Sequence, residues 1–282
     1  MSRIDTLQIL KSVALHLILC MYLTITPNYA QETVSGQKVK QVQIAETQWE
    51  VVFNHSLCTE QPNEWKQLFF IDGLNGNITD TPEGLNFKTG NDSFFHADHS
   101  VLWTKQLFKD GLRVSYDYRR DDTIDQDEVC ILYLLAEGIG QSPFRKDIEK
   151  WTELRRIPYM YIYFWGMRLA HISYATRSVN GEPYIRCRTY PMETSKTVWS
   201  KLLIPPSYDD PGFFKPHKWY HIEVYKKEDK LTFHVKGERM DKTFSWKDEK
   251  LNQIKSGRIG FRQMQGRNSS YRNLCISQVK DK

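Results

Sequence analysis

The chain is divided into short runs rich in Val, Ile, Tyr, Phe and Trp, and each run is bounded by Gly, Pro, Asn or Asp. Such runs are typical of an antiparallel β-sandwich. In HIEVYK (221–226), Ile222 and Val224 alternate with polar or aromatic residues, so one strand face is apolar. The pattern predicts an all-β fold. The predicted strands are WEVVFN (49–54), LRVSYDYR (112–119), CILYLLAE (130–137), YMYIYFW (159–165), AHISYAT (170–176), WYHIEVYKKE (219–228), KLTFHVKG (230–237) and GRIGFRQM (257–264).

One short helix and two tight turns complete the prediction. The helix is expected over residues 142–155, where apolar residues follow Pro143 at helical spacing. These residues are Phe144, Ile148, Trp151 and Leu154. Turns are expected at Lys227 to Lys230 and at Asn180-Gly181, and they favour antiparallel pairing of neighbouring strands.

The first 30 residues have the pattern of an export signal. An apolar run from Val13 to Thr26 follows Arg3 and Lys11, is short for a membrane span, and precedes the small residue Ala30. An uncleaved membrane anchor is the alternative. We expect removal of residues 1–30, an N-terminal extension over 31–44, and one large domain over 45–280. The protein would then be periplasmic, cell-surface or secreted, with no membrane span after signal removal.

Net charge and cysteine spacing limit the classes of ligand and metal site that the sequence predicts. The formal net charge is +5 and becomes +4 when residues 1–30 are removed, a mild excess that suits an anionic ligand. Basic residues alternate with aromatic ones instead of forming runs, so nucleic acid is not expected. Cys58, Cys130, Cys187 and Cys275 form no CxxC pair, so we expect no metal site of the zinc type. Whether they form disulfides or remain free thiols stays open.

No cofactor is indicated by the sequence. The acidic loop DDTIDQDE (121–128) offers hard oxygen ligands, so structural calcium is conceivable there. The loop lacks the glycine and the regular spacing of an EF-hand, which favours a solvated turn.

Polar residues with functional potential concentrate in FFHADHSVLW (94–103). If this segment is extended, His96 and Asp98 share one face and His99 lies on the other, so one of the two histidines is expected to be structural. Histidine titrates near neutral pH and can act as a general base.

A second concentration is MYIYFWGMRLAHISYATR (160–177). On a strand, Tyr161, Tyr163 and Trp165 share one face, and beyond Gly166 His171 lies opposite Tyr174. These aromatic residues either form a half-buried core or stack on sugar rings, in which case His171 or Tyr174 would transfer protons.

A third concentration is GRIGFRQMQGRNSSYRN (257–273), where Arg262 and Gln263 lie on opposite strand faces. An arginine on a sheet face either binds a carboxylate or sulfate bidentately or forms a surface ion pair. The chain has no Glu-x-Asp-x-Glu strand, GxSxG elbow, HExxH helix or P-loop. Familiar hydrolase chemistry is therefore not expected.

Several separated segments together resemble the YesU-like family of uncharacterised bacterial proteins, which have a concanavalin A-like jelly-roll fold. The segments are HADHSVLW, YDYRRDD, CILYLLAEGIG, YIYFWGMRLAHISYATR and GRIGFRQMQGRNSSYRN, and the resemblance covers residues 45–278. It implies an all-β antiparallel sandwich over 45–280 that handles carbohydrate. It also implies a setting of uronate-containing polysaccharides, and so an anionic oligosaccharide or polysaccharide as partner.

That setting suggests β-elimination at a uronic acid, by a dehydratase that makes a 4,5-unsaturated uronate at the non-reducing end. A polysaccharide lyase of the same chemistry and a non-catalytic carbohydrate-binding module are the alternatives. Elimination needs a group that neutralises the carboxylate, a base and an acid. The candidate catalytic residues are His99, His171 and Tyr174. The candidate substrate-binding residues are His96, Trp103, Tyr163, Trp165, Arg168, Arg262 and Gln263.

Overall fold

The computed structural model describes residues 48–90, 96–123, 129–177, 182–192 and 199–280. Two antiparallel sheets pack face to face, which confirms the predicted β-sandwich. The first sheet has the order β14-β13-β12-β7-β16-β4-β3, with β1 also paired to β16. Its strands are β1 (Trp49–His55), β3 (Asn77–Thr81), β4 (Gly84–Lys88), β7 (Leu112–Arg120), β12 (Trp219–Lys227), β13 (Lys230–Lys236), β14 (Asp241–Lys247) and β16 (Asn268–Val279).

The second sheet has the order β11-β10-β9-β8-β15-β5-β2, with β6 also paired to β15. Its strands are β2 (Phe69–Asp72), β5 (Ser100–Thr104), β6 (Phe108–Lys109), β8 (Cys130–Gly138), β9 (Met167–Arg177), β10 (Pro183–Tyr190), β11 (Leu203–Asp209) and β15 (Ser256–Gln263). The α-helices are Trp65–Leu68, Met160–Gly166 and Glu249–Asn252. The 3-10 helices are His96–Asp98, Ile148–Arg155 and Trp199–Leu202.

Burial follows the alternation of the sequence where only one face of a strand is covered. Strand β7 alternates buried and half-buried residues along its whole length, as period-two patterning requires. Strand β8 is different, because its first seven residues are all buried. One face of β8 contacts the core between the sheets and the other contacts a second apolar cluster on the outer face of the second sheet. This outer face is therefore covered by other parts of the chain.

The cover is the connection between β8 and β9. These strands are antiparallel neighbours, yet residues 139–166 separate them. The segment contains the 3-10 helix Ile148–Arg155 and the α-helix Met160–Gly166, and its apolar side chains join the outer cluster. We call residues 139–166 the crossing segment.

Two predictions for the crossing segment were wrong in detail. The expected helix over 142–155 is a shorter 3-10 helix, and it is kinked at Thr152, which has φ 43°. The expected strand YMYIYFW is the α-helix Met160–Gly166. Its residues Met160, Tyr163 and Phe164 have the i, i+3, i+4 spacing of a helix face and pack on the outer cluster.

The turn between β12 and β13 is confirmed, since β12 ends at Lys227 and β13 begins at Lys230. The expected turn at Asn180-Gly181, the export signal, the extension over 31–44 and most of the acidic loop lie outside the described residues. Cys58, Cys130, Cys187 and Cys275 are free thiols. Among the described residues, no helix has the length and apolar character needed to cross a membrane.

Candidate functional site

Polar side chains collect on the outer face of the second sheet, under the crossing segment. The strand register explains their placement, because Arg262 on β15 pairs with Ile131 on β8 and with Val101 on β5. Tyr133 on β8 pairs with His171 on β9, which pairs with Arg188 on β10. Residues that pair across strands share a face, so arginine, tyrosine and histidine come together from strands distant in sequence.

At one end of this group, Arg262 is fully buried and bound to His99. Its Nη2 donates to Nδ1 of His99 at 3.0 Å and to the carbonyl of Pro158 at 2.7 Å. Because Nδ1 of His99 accepts the hydrogen bond from Arg262, Nε2 carries the ring proton and donates a hydrogen bond to Oε1 of Gln265 at 2.5 Å. Both nitrogens of His99 are therefore engaged, and its role is to hold the guanidinium in place.

Arg262 has unused hydrogen-bonding capacity. Its Nε and Nη1 are buried and have no hydrogen-bond partner among the described residues. The guanidinium carbon lies 5.1 Å from the centre of the Tyr163 ring. A buried donor without a partner costs free energy, so these two nitrogens favour acceptors brought by a ligand.

The histidine beside Arg262 is held neutral. Burial, followed by the charge of Arg262, lowers the pKa of His99 to about 3. His96 is exposed, and burial and Arg262 lower its pKa as well. At neutral pH the positive charge of this end therefore resides on the guanidinium alone.

The other end of the group is built around His171. Its Nδ1 lies 2.6 Å from the hydroxyl of Tyr190, and its Nε2 lies 2.6 Å from Oγ of Ser173. Nη1 of Arg188 donates to the same Ser173 oxygen at 3.0 Å. Burial and the charge of Arg188 hold the pKa of His171 well below its usual value, and burial raises that of Tyr190. Both groups are therefore neutral.

Between the two ends, an aromatic stack supports the face. The rings of Trp103 and Tyr133 lie 5.4 Å apart and 14° from parallel. Gly260 lies between their strands, and a side chain there would meet the Trp103 ring, since an added Cβ would lie 2.3 Å from Cζ3.

Asp72 on β2 fastens the crossing segment to this stack. Its carboxylate accepts from Nε1 of Trp103 at 2.9 Å, from the hydroxyl of Tyr163 at 2.7 Å and from Nε of Arg155 at 2.5 Å. Burial raises the pKa of Asp72, while Arg155 acts in the opposite direction. Two of the three donors lie in the crossing segment, so Asp72 fixes that segment to the sheet.

A strip of three rings is accessible beside Arg262. His96 and Tyr159 lie 4.2 Å apart between ring centres, and Tyr159 and Tyr161 lie 5.2 Å apart. Tyr159 is 36% exposed and Tyr161 is 48% exposed, whereas Phe164, next in line, is buried. We call His96, Tyr159 and Tyr161 the aromatic strip. It is short, and two of its three rings, Tyr159 and Tyr161, belong to the crossing segment.

Residues 74–276 match the family described as Domain of unknown function (DUF1961). The chain belongs to this family. A curated relative is the uncharacterised protein YesU of Bacillus subtilis (strain 168), which is 24% identical over 189 residues, or 64% of this chain and 78% of the relative. The predicted membership of a YesU-like family is thereby confirmed.

Solved structures show the same fold. A protein of unknown function with a galectin-like fold from Bacillus subtilis aligns with a TM-score of 0.61 at 20% identity, over 83% of this chain and all of that one. The VIP36 exoplasmic/lumenal domain in its Ca2+/Man3GlcNAc-bound form gives 0.52 at 12% identity, over 83% and 92%. The basic winged bean lectin with Tn-antigen gives 0.50 at 9% identity, over 82% and 98%. The expected jelly roll is confirmed.

The structure brings six of the predicted site residues to the outer face or its rim. They are His96, His99, Trp103, Tyr163, His171 and Arg262. The two histidines of HADH, expected on opposite faces, lie together because residues 96–98 form a 3-10 turn, and their ring centres are 5.2 Å apart. Trp165 is half-buried and packs on the outer apolar cluster.

Three predicted site residues do not join them. Tyr174 points into the core between the sheets, where its hydroxyl accepts from Tyr116 at 3.3 Å, so it cannot serve as the acid beside His171. Gln263 also faces inward and lies 3.1 Å from the hydroxyl of Tyr271. Arg168 forms an ion pair with Glu137 at 3.2 Å. The first two errors have one cause: residues at odd spacing from a site residue lie on the opposite face of a strand.

Sequence reasoning missed Asp72, Tyr159, Arg188, Tyr190 and Gln265. The alternation in PYIRCRTY was a usable signal for two of them, because Ile185 and Cys187 are core residues and Arg188 and Tyr190, at odd spacing from them, lie on the other face. Asp72 gave no such signal, since its donors come from elements up to 91 residues away.

Proposed function

We propose that this protein binds an acidic saccharide, one that contains a uronic acid, at the aromatic strip beside Arg262. The observation that carries the proposal is the buried guanidinium with two unpartnered N–H groups next to exposed rings. Nε and Nη1 lie on different edges of the guanidinium, so a carboxylate oxygen and a hydroxyl or ring oxygen of an acidic sugar can each fill one of them, and an aromatic ring offers its face to the C–H groups of a pyranose.

Charge favours an anionic sugar over a neutral one. With His96 and His99 neutral, the positive charge of this cluster lies on Arg262, and the neighbouring Asp98 contributes a negative charge on the side of His99. Low dielectric around the buried guanidinium strengthens its attraction for a carboxylate. The Man3GlcNAc-bound VIP36 domain and the winged bean lectin support sugar binding on a fold of this kind.

The same geometry supports a second proposal, β-elimination on the bound uronate. Arg262 would neutralise the carboxylate, and accessible His96 would take the C5 proton as a neutral base. The electron pair forms the C4–C5 double bond as the C4–O bond breaks, and Tyr159 would protonate the departing oxygen. We assign His99 and His171 to positioning, because hydrogen bonds occupy both nitrogens of each ring.

A dehydratase is the preferred form of this reaction. The strip is short, because Phe164, the ring next to Tyr161, is buried. A short strip suits a chain terminus, from which the C4 hydroxyl leaves as water, whereas a lyase acting within a chain needs a longer, open groove. Binding without catalysis is the alternative, and the full hydrogen bonding of both buried histidines favours it.

The test is to incubate the protein with uronate-terminated oligosaccharides of pectic, ulvan-like and alginate-like composition. A new ultraviolet chromophore with loss of one water indicates a dehydratase, and the chromophore with chain cleavage indicates a lyase. Binding without either change contradicts elimination on these substrates. Failure to bind any of them contradicts the first proposal.

Variants of the exposed strip separate the two roles without disturbing the core. Tyr161→Ala, which removes a ring without a proton-transfer role, should weaken binding about tenfold, and His96→Gln should weaken binding no more than that while turnover falls at least about a hundredfold. Tyr225→Ala and His234→Gln, on the first sheet, are matched controls that should change neither quantity.

A further inference from the structure

We infer that the protein has a second saccharide site, on the first sheet, that binds one uronate unit. The site is a cavity of about 260 Å³ between the loop before β12 and the turn that joins β13 to β14. Its lining includes Lys215, Lys218, Trp219, Tyr220, Arg239 and Met240. None of these residues lies on the outer face of the second sheet, so the cavity is separate from the aromatic strip.

The charges of the cavity select an anion. Lys218 is paired with Glu238 at 3.1 Å, which leaves Lys215 and Arg239 as exposed cations. Neither forms an ion pair with any residue in the described part of the chain. Two separate cations at the rim can bind the two oxygens of one carboxylate or a carboxylate and a neighbouring hydroxyl.

The walls of the cavity suit a sugar ring rather than a bare ion. Trp219 contributes half-buried aromatic surface and Met240 contributes a thioether, whereas Tyr220 is buried against the core. The guanidiniums of Arg119 and Arg272 lie 4.8 Å and 4.0 Å from the centre of the Trp219 ring and add positive charge beside the cavity. Drug-sized ligands occupy pockets of about 300–1,000 Å³, so a slightly smaller cavity suits a single sugar unit.

The loop that forms one wall is held in an unusual conformation. Asp210, Phe214 and His217, which flank the lining residue Lys215, have φ values of 46°, 65° and 60°, a left-handed region that a bulky residue such as Phe214 rarely adopts. Hydrogen bonds fix it: the amide of His217 donates to the carbonyl of Arg120 at 2.7 Å, and the amide of Lys215 to the hydroxyl of Tyr220 at 3.1 Å. Strained backbone held in this way is common where a protein fixes a ligand-binding surface.

The choice of uronate rests on the proposed function, whereas the location rests on the cavity itself. A second site would let the protein hold one end of an acidic chain while the aromatic strip holds another, which raises apparent affinity for longer chains.

The test is a titration of ¹⁵N-labelled protein with trigalacturonate, followed through the indole N–H signal of Trp219, which Trp219→Phe assigns. The signal should shift and saturate, and methyl-esterified trigalacturonate should not move it. Lys215→Ala and Arg239→Ala should each weaken the response about tenfold, and Lys230→Ala, an exposed lysine at the far end of β13, should not.

Tyr161→Ala separates this inference from the proposed function, because it should leave the Trp219 response unchanged. If trigalacturonate does not move the Trp219 signal, or if it moves it equally in the Lys215 and Arg239 variants, the second site is refuted whatever happens at the aromatic strip.

Discussion

Replacing Asp72 with alanine should detach the crossing segment from the second sheet. The carboxylate is 1% exposed and accepts hydrogen bonds from Trp103, Tyr163 and Arg155. Alanine would leave all three donors without this acceptor. All three bonds end on a charged carboxylate, so about 1.5 kcal/mol for each of the bonds from Trp103 and Tyr163 and about 2 kcal/mol for the bond from Arg155 give a loss of about 5 kcal/mol. Measured costs of breaking buried ion pairs, about 3–5 kcal/mol, are of this size.

For a domain of this length, such a loss corresponds to a fall in Tm of about 10 °C, which calorimetry or urea unfolding would measure. Asp72→Asn keeps one acceptor oxygen and should lose about half as much. Glu153→Ala, which removes an exposed ion pair with Arg156, is the matched control and should leave Tm nearly unchanged.

A double-mutant cycle with Arg155→Met tests the cause. Asp72→Ala and Arg155→Met should be non-additive by about 1–3 kcal/mol, because each removes the same ion pair. Additive effects, or a loss below about 1 kcal/mol for Asp72→Ala, would refute the view that this carboxylate fastens the segment.

Three further outcomes are expected. Gly260→Ala should cost about 1–3 kcal/mol in urea unfolding, because its Cβ would overlap the buried ring of Trp103. Because the pKa of His99 is lowered, the unfolded chain binds a proton that the folded chain does not bind. The free energy of unfolding should therefore fall as pH drops below about 6.5 toward 3, and His99→Gln should reduce this pH dependence. Asp117 raises the pKa of His221, so this ring should stabilise the fold below its unfolded-state pKa and lose that effect as pH rises through its folded-state pKa. If His221→Asn leaves the pH dependence of stability unchanged, this expectation is wrong.

The two pH effects have opposite signs because the two rings have different surroundings. Burial and a neighbouring guanidinium disfavour a proton on His99, whereas a carboxylate at 2.8 Å favours one on His221. The sequence alone does not show which group each histidine faces.

Alternation in the sequence determined the fold class and the composition of each strand face. The run HIEVYK predicts its buried residues because a strand has a fixed period of two, whichever sheet it joins. The same period determined that Arg262 and Gln263 lie on opposite faces. Which of those faces meets the core and which meets the crossing segment does not follow from the period.

Only the tertiary structure decided that question and the composition of the site. The aromatic residues of YMYIYFW fit a strand or a helix over so few residues, and packing of Met160, Tyr163 and Phe164 on the outer cluster selected the helix. Asp72 and Tyr163 meet across 91 residues of sequence. Local sequence cannot specify such a contact, because it depends on the order of strands in the sheet and on the path of the crossing segment over it.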